Sequence, residues 1–377
     1  MTKRLHHLLV TLFLVGATFS ASAGQTRVVV IYAETDEQLP SSFASIIAAM
    51  ERMPELEVLR LTLDSGKSYA ASPLLSANSP LRLAAAGGNI GHIAVLYPDI
   101  GEPYRGIFAK IIEGIEDKTK SKVAGYPVGT NFNAQEISSE LKRQDIRVVI
   151  ALGRNGLKAA GSLDKNMSLV VGGVISAPEA DMRGGTLLSL APDPALLFAR
   201  LKSISPRTQR VLVVFDPNQN GWLIKLAQEA ARVHGIELIA QAATDLKAAL
   251  GLYQSFFASA DGRRDAIWLP QDSISVDESN VLPLVLQESW AKSLLVFSSN
   301  VSHVRRGVLF ALYPNNMELG RNLALSALGV ASGNPTTRGT LPLRDVLTAF
   351  NTRTASHLGL SPSPAQQQAF DLLLPEQ

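Results

Sequence analysis

The sequence predicts an α/β protein of two similar lobes, each a parallel sheet flanked by helices, with chain crossovers between them forming a hinge. Three observations carry this expectation. One pattern occurs twice, as HIAVLYPDIGEPYRGIFAKIIEGIED over 92–117 and as RVLVVFDPNQNGWLIKLAQEAARVHGIEL over 210–238. Each copy has an apolar run ending in an aromatic (Tyr97, Phe215), a Pro/Asp/Gly/Asn loop, and a second aromatic seven residues on (Tyr104, Trp222). Apolar runs alternate with helix-period segments along most of the chain, as in parallel sheets covered on both faces. With 377 residues, the chain also exceeds one ordinary hydrophobic core.

The elements follow in order. Residues 1–23 read as a signal peptide. Lys3 and Arg4 form a basic start, Leu8–Ala17 an apolar core and Ala21-Ser22-Ala23 an A-x-A site, so cleavage is expected before Gly24. The core is short for a membrane span of about 20 residues. Residues 24–89 read as a βαβ extension, with strands at 27–32 and 56–63 and a helix at 41–52. A Ser/Ala/Gly/Pro-rich connector follows, and Gly87-Gly88-Asn89-Ile90-Gly91 serves as a flexible joint. Lobe one is expected over 90–202, with strands at 92–97, 122–127, 147–152, 168–174 and 186–190 and helices at 103–117, 133–143 and 193–202. Lobe two is expected over 203–305, with strands at 209–215, 236–241, 265–269 and 293–297 and helices at 220–234, 245–258 and 278–291. The chain then returns to complete lobe one over about 306–335 (strand 307–313, helix 316–331). It ends in a C-terminal crossover and tail, 336–377, with a strand–helix at 342–360. Such crossovers build hinges that close on ligands.

Composition narrows the function. A hydrophobic share of 46% with 18% charged residues is globular. Without Lys3 and Arg4 the chain holds 33 basic and 33 acidic residues, so there is no basic footprint for a nucleic acid. The absence of cysteine removes disulfides, thiolate metal sites, cysteine nucleophiles and a lipoprotein anchor. No cofactor or metal is expected. Enzyme motifs are absent: there is no H-x-x-x-H pair, no G-x-S-x-G elbow, no P-loop and no G-x-G-x-x-G. His303, beside Arg305 and Arg306, reads as a partly exposed loop histidine rather than a base. Asp261/Asp265 and Glu179/Asp181 read as solvated turn residues.

In open parallel sheets, ligands sit outside the carboxyl ends of the strands. The residues there are Tyr97-Pro98-Asp99, Gly153-Arg154-Asn155-Gly156 and Ser176-Ala177-Pro178 in lobe one. In lobe two they are Asp216-Pro217-Asn218-Gln219-Asn220, Pro270-Gln271-Asp272-Ser273 and Ser298-Ser299-Asn300-Val301-Ser302. This set suits a zwitterion, with Arg154 and helix N-termini for a carboxylate and Asp216 or Asp272 for an ammonium. Helix capping is the competing role for Asp, Asn and Ser at such places.

Several segments together resemble the substrate-binding components of ABC transporters, in the group typified by periplasmic aromatic-amino-acid (tryptophan-type) binding proteins. The resemblance runs from about His92 to Pro362. It is carried by VVGGVISAP (170–178), GGTLLSLAPDPALLFARLKSISPRTQRVLVVFDPNQNG (184–221) and AIWLPQDSISV (266–276). RGVLFALYPNNMELGRNLALSALGVASGNP (306–335) and AFNTRTASHLGLSPSP (349–364) add to it. It implies a periplasmic-binding fold without a cofactor, a monomer in the periplasm, and an inner-membrane permease and ATPase as partners. The ligand would be a small molecule such as an amino acid, held by Arg154, Asn155, Ser176, Ala177, Asp216, Asn218, Gln271, Asp272, Ser298 and Asn300, and Tyr97 joins this set from its place at a strand end. The chain departs from the family pattern in the residues 24–89 inserted before the first lobe strand. It departs again in Gly-Arg-Asn-Gly where small Thr/Pro/Ala residues are usual. A non-transport accessory or sensor, docking a membrane partner through the extension, is the alternative reading.

Overall fold

The computed structural model describes residues 13–15, 26–34, 56–64, 92–333 and 337–375. The chain divides into two compact units, 1–83 and 84–377. In the first unit, β1 (Phe13–Val15), β2 (Thr26–Glu34) and β3 (Leu56–Asp64) form one sheet in that order. β2 and β3 run parallel from Thr26↔Leu56 to Glu34↔Asp64, and β1 lies antiparallel to β2. A parallel pair needs a long crossover connection. The helix expected at 41–52, the connector after Asp64 and the joint at 87–91 lie outside the described residues.

The second unit contains two lobes. In lobe one, β4 (Ile93–Pro98), β5 (Ala124–Val128), β6 (Val148–Leu152), β7 (Ser168–Gly172) and β8 (Thr186–Pro192) alternate with helices. These are α1 (Tyr104–Thr119), α2 (Ala134–Arg143), α3 (Gly153–Gly161) and the single turn α4 (Glu179–Met182). Lobe two has β9 (Arg210–Phe215), β10 (Glu237–Ala242), β11 (Asp265–Leu269) and β12 (Leu295–Ser298). Its helices are α5 (Pro194–Ile204), α6 (Pro217–Val233), α7 (Leu246–Ser259), α8 (Val281–Ala291) and α9 (Val301–Arg305). Then come β13 (Phe310–Pro314), α10 (Asn316–Ala331), β14 (Gly339–Leu343), β15 (Val346–Asn351), α11 (Thr352–His357), α12 (Pro364–Gln368) and β16 (Leu372–Leu374).

Lobe one is an all-parallel sheet in the order β14-β8-β7-β6-β4-β5, and lobe two has the order β10-β9-β11-β12-β13-β15-β16. The central strands are apolar on both faces because helices cover both. Val148–Leu152 and Asp265–Leu269 are buried throughout. In each sheet the first strand of the lobe (β4, β9) lies between the second and third. The strand order therefore reverses there, and the crevice opens at the carboxyl ends.

Two segments fall on the other side of the hinge from the one expected. α5, expected in lobe one, packs Leu197, Phe198 and Leu201 into the lobe-two core, with Phe198 edge-on to Trp268 at 5.9 Å. The first crossover is thus at Pro192–Pro194, where Asp193 caps α5 through Ala195 N. β13, expected with lobe one, pairs in parallel with β12 in lobe two, and only α10 returns. β13 ends at the hinge and β15 starts from it, so the two must run antiparallel, as Phe310↔Phe350 to Pro314↔Val346 do. The hinge is three bonded crossovers. Asp193 N donates to Leu343 O, Asn315 N to Asp345 O, and Arg344 Nε to Asp193 Oδ2 at 3.2 Å.

The duplicated aromatics are not equivalent in space. Trp222 is the sixth residue of α6, whereas Tyr104 is the first of α1, because Asp99–Pro103 forms a longer loop.

Two contacts decide much of the packing. α10 returns across α1 at Gly114 and Gly320, whose Cα atoms are close enough that a Cβ on Gly320 would lie 2.0 Å from Ile111 O. In lobe two, Arg210 on β9 chelates Asp265 on β11, with Nε–Oδ1 at 2.7 Å. Asp265 is a buried ion-pair partner, not a solvated turn residue, because it opens a central strand.

Burial works to raise the Asp265 carboxyl. The Arg210 guanidinium and the Asp261 amide, with Arg264 nearby, outweigh it and hold the group below the usual carboxylate range. A carboxyl depressed on folding contributes stability above its unfolded value, near pH 3.9, and loses it as pH falls through the folded value. Asp265→Asn should therefore flatten the fall of the unfolding midpoint below about pH 4. Midpoints measured from pH 6 to 2 check this.

Candidate functional site

The carboxyl ends of both sheets face one cleft, and two chambers lie in it. The larger, about 850 Å³, takes Arg154, Ser176–Glu179 and Met182 from lobe one. Asp216, Asn218, Gln219, Trp222 and Ser273 face it from lobe two, and Gly339 and Thr340 close one side. The second, about 470 Å³, lies over the β11 and β12 ends and is lined by Gln271, Asp272, Asp277, Glu278, Asn300 and His303, with Ile175 opposite. Gln219 and Ser273 line both, so the two chambers are neighbours in the cleft.

Each wall follows from local sequence. Gly153 takes a left-handed turn (φ 66°) straight from β6 into α3. The helix starts with no side-chain cap, so Arg154 stands exposed on its first turn. The helix N-terminus carries partial positive charge of its own. In lobe two, Asp216 ends β9 and caps α6, its Oδ1 accepting from Asn218 N at 3.0 Å. Asn300 caps α9 through Ser302 N in the same way.

Asp272 is the organiser of the lobe-two wall. Its Oδ2 accepts from Asp216 N at 2.7 Å and Asn220 Nδ2 at 2.9 Å. Its Oδ1 accepts from Ile274 N and Ser275 N. With four donors satisfied inside the protein, Asp272 locks the β9 and β11 loops together. The ammonium role considered for it from sequence fails on that ground, because a ligand would have to displace a donor.

His303 also differs from expectation. It is 2% exposed and sits in α9. Ser298 Oγ accepts from Asn300 N and lies within hydrogen-bond reach of both Leu269 O and His303 Nδ1, at 3.1 and 2.9 Å. On the other side of the ring, His303 Nε2 lies 3.5 Å from Asn300 Nδ2. Burial pushes the His303 imidazole below its usual value. Glu278, 3.7 Å from Nε2, pulls the other way, and Arg306 adds to the push. The order Ser298–His303–Glu278 is that of a hydrolytic triad, but Ser298 is fully buried and does not line either chamber.

Of the residues expected at the site, Arg154, Ser176, Ala177, Asp216 and Asn218 line the larger chamber, and Gln271, Asp272 and Asn300 line the second. Three are elsewhere. Tyr97 alternates with Ile93 and Val95 onto the α1/α10 face and packs in that core. Asn155 Nδ2 ties α3 to Val128 O at 3.3 Å. Ser298 lies beneath the wall. Glu179, Met182, Gln219, Trp222, Ser273, Asp277, Glu278, Gly339 and Thr340 complete the lining. Glu179, Gln219 and Ser273 sit one or two residues beyond those singled out, Met182, Trp222, Asp277 and Glu278 lie four to six beyond, and Gly339 and Thr340 come from β14. Among the described residues no cluster of His, Asp or Glu is placed to hold a metal, and no helix is long and apolar enough to cross a membrane.

Comparison with solved structures agrees with this architecture. CD0873, a substrate binding protein with adhesive properties from Clostridium difficile, is similar in its ligand-free, open structure. The TM-score is 0.53 at 14% identity, covering 76% of this chain and 99% of that one. A conserved domain protein from Vibrio cholerae O1 biovar El Tor matches at 0.50 and 18% identity, covering 74% and 98%. An ABC domain in complex with L-Trp from Streptococcus pneumoniae reaches 0.48 at 14% identity, covering 75% and 99%. That last score is too low to bear on the ligand. No family model matches the chain, and no curated protein matches it by sequence. At these identities the likeness shows the fold alone: this is the two-lobed periplasmic-binding-protein fold. Those structures are covered almost whole, while about a quarter of this chain has no counterpart in them.

Proposed function

We propose that the protein is an exported solute-binding component of an ABC import system, capturing a small molecule between its lobes and handing it to an inner-membrane permease and ATPase. One observation carries the reading. A cavity of about 850 Å³ is walled by strand-end loops of both lobes across a three-strand hinge. Its size is within the range of small-molecule sites, about 300–1,000 Å³. A solute touching both walls favours the closed state by whatever affinity it gains there. Export rests on the leader-like residues 1–23, whose removal would take away β1 and leave β2 paired with β3. Binding rather than catalysis is supported by the burial of Ser298 and by the commitment of Asp272 to internal hydrogen bonds.

The test is thermal unfolding against a panel of amino acids, amines, sugars and carboxylic acids. Saturation at a hundred times the dissociation constant adds about 2.7 kcal/mol, so one clear rise in midpoint is expected. A flat panel would remove the reading. The accessory or sensor alternative is favoured by the extra quarter of the chain, since the similar structures do without it. A solute hit together with co-purification of a membrane receptor lacking an ATPase would select that alternative.

A further inference from the structure

Resting on the solute-binding reading, we infer that the ligand is a cation carrying at least two separated amine or guanidine groups: a diamine, a polyamine or a basic amino acid. The charge of the cleft leads there. Five carboxylates line the two chambers: Glu179, Asp216, Asp272, Asp277 and Glu278. Among the described residues, the only lysine or arginine lining them is Arg154, and His303, which lines the second chamber, is pushed towards its neutral form by burial. Arg306 offsets Glu278 in part, at 3.9 Å. Even with Arg306 counted in full, an excess of three negative charges remains, in a chain whose formal net charge is +2.

Three of these carboxylates are held by uncharged donors rather than by cations. Asp216 and Asp272 accept from backbone amides and from Asn220. Asp277 accepts from the Asn280 side chain and from the Asn280 and Ser279 amides, which keep it below the usual carboxylate range. Amide donors fix a negative charge in place and leave its field uncancelled. A cleft with walls of one sign concentrates the counter-charge. Glu179 and Glu278, both exposed, sit in different chambers. One compact ammonium cannot answer both, whereas a chain with a cationic group at each end can, with Gln219 and Ser273 flanking its middle. Trp222 in the larger chamber adds a ring able to meet a cation. Arg154 then decides between sources. A basic amino acid brings a carboxylate to it, and a polyamine does not.

The experiment is calorimetric titration of the full chain with putrescine, spermidine, L-lysine and L-arginine, against L-leucine, L-glutamate and glucose. Cationic solutes are expected to bind, more weakly as salt rises, and neutral or anionic ones to bind at least about tenfold less tightly. Glu179→Gln and Glu278→Gln should each weaken the cation about tenfold while leaving the unliganded unfolding midpoint in place. Arg154→Ala should weaken L-lysine or L-arginine by a similar factor and leave putrescine unweakened. Tight binding of L-leucine, L-glutamate or glucose with no binding of the cations would overturn the cationic class and leave solute capture standing. Binding of none would overturn both. Cation binding insensitive to Glu179→Gln and Glu278→Gln would show that the cleft carboxylates are not its cause and would overturn the inference.

Discussion

Gly320→Ala is expected to lower the stability of the protein by about 3 kcal/mol or more, at or above the top of ordinary overpacking costs. The added carbon would lie 2.0 Å from Ile111 O and 3.0 Å from Gly114 Cα, both backbone atoms that no rotamer change can move. α1 and α10 would have to separate, opening the core that Ile111 and Ile115 share with Leu319 and Leu323. Because α10 is also the return crossover, the loss falls on the helix that leads into the hinge. Gly251→Ala is the control. It lies in α7 with nothing within 4 Å of an added carbon, so the same change should stabilise by about 0.5–1 kcal/mol. Chemical denaturation of both variants checks the opposite signs.

Asp272→Ala carries the second large effect, a loss of about 3–5 kcal/mol together with solute binding. Four donors lose their acceptor at once: the amides of Asp216, Ile274 and Ser275 and the side chain of Asn220. The β9 and β11 loops, which present Asp216, Asn218, Gln219 and Ser273 to the cleft, would then come apart. Asp272→Asn puts an amide donor where one oxygen accepted, so it should lose about half as much and weaken binding without abolishing it. An Asp272→Asn protein as stable as the parent would place the loop coupling elsewhere.

Much of the fold was legible because local pattern determines it. Short, β-branched apolar runs such as Val148–Leu152, alternating with helical segments, read as central parallel strands, and their carboxyl ends located the cleft loops before any geometry was known. The lobe that each connecting segment joins was less legible. Leu197, Phe198 and Leu201 on α5 give the same helical pattern whichever core receives them, and only Trp268 and Phe297 show which one does. The site was legible as loops and not as atoms. Arg154 reaches the cleft because Gly153 turns the chain there. Tyr97 does not, because strand alternation sends it to the opposite face. Asp272 reads in sequence as an acid free for a ligand, and its real partner, Asn220, lies 52 residues earlier. His303 reads as a loop residue because nothing local signals that Ser298, Asn300 and Glu278 enclose it.

Closure of the lobes on a solute is the claim on which the account depends, and a distance measurement tests it most directly. The chain has no cysteine, so Lys158→Cys on α3 and Lys225→Cys on α6, both exposed and in different lobes, give one labelled pair in the full chain. The distance distribution between spin labels would be recorded with and without the solute that most raises the unfolding midpoint. The account predicts a shift to shorter distance that saturates with that solute. A distribution unchanged while the midpoint rises would contradict capture by closure and move the binding site out of the cleft.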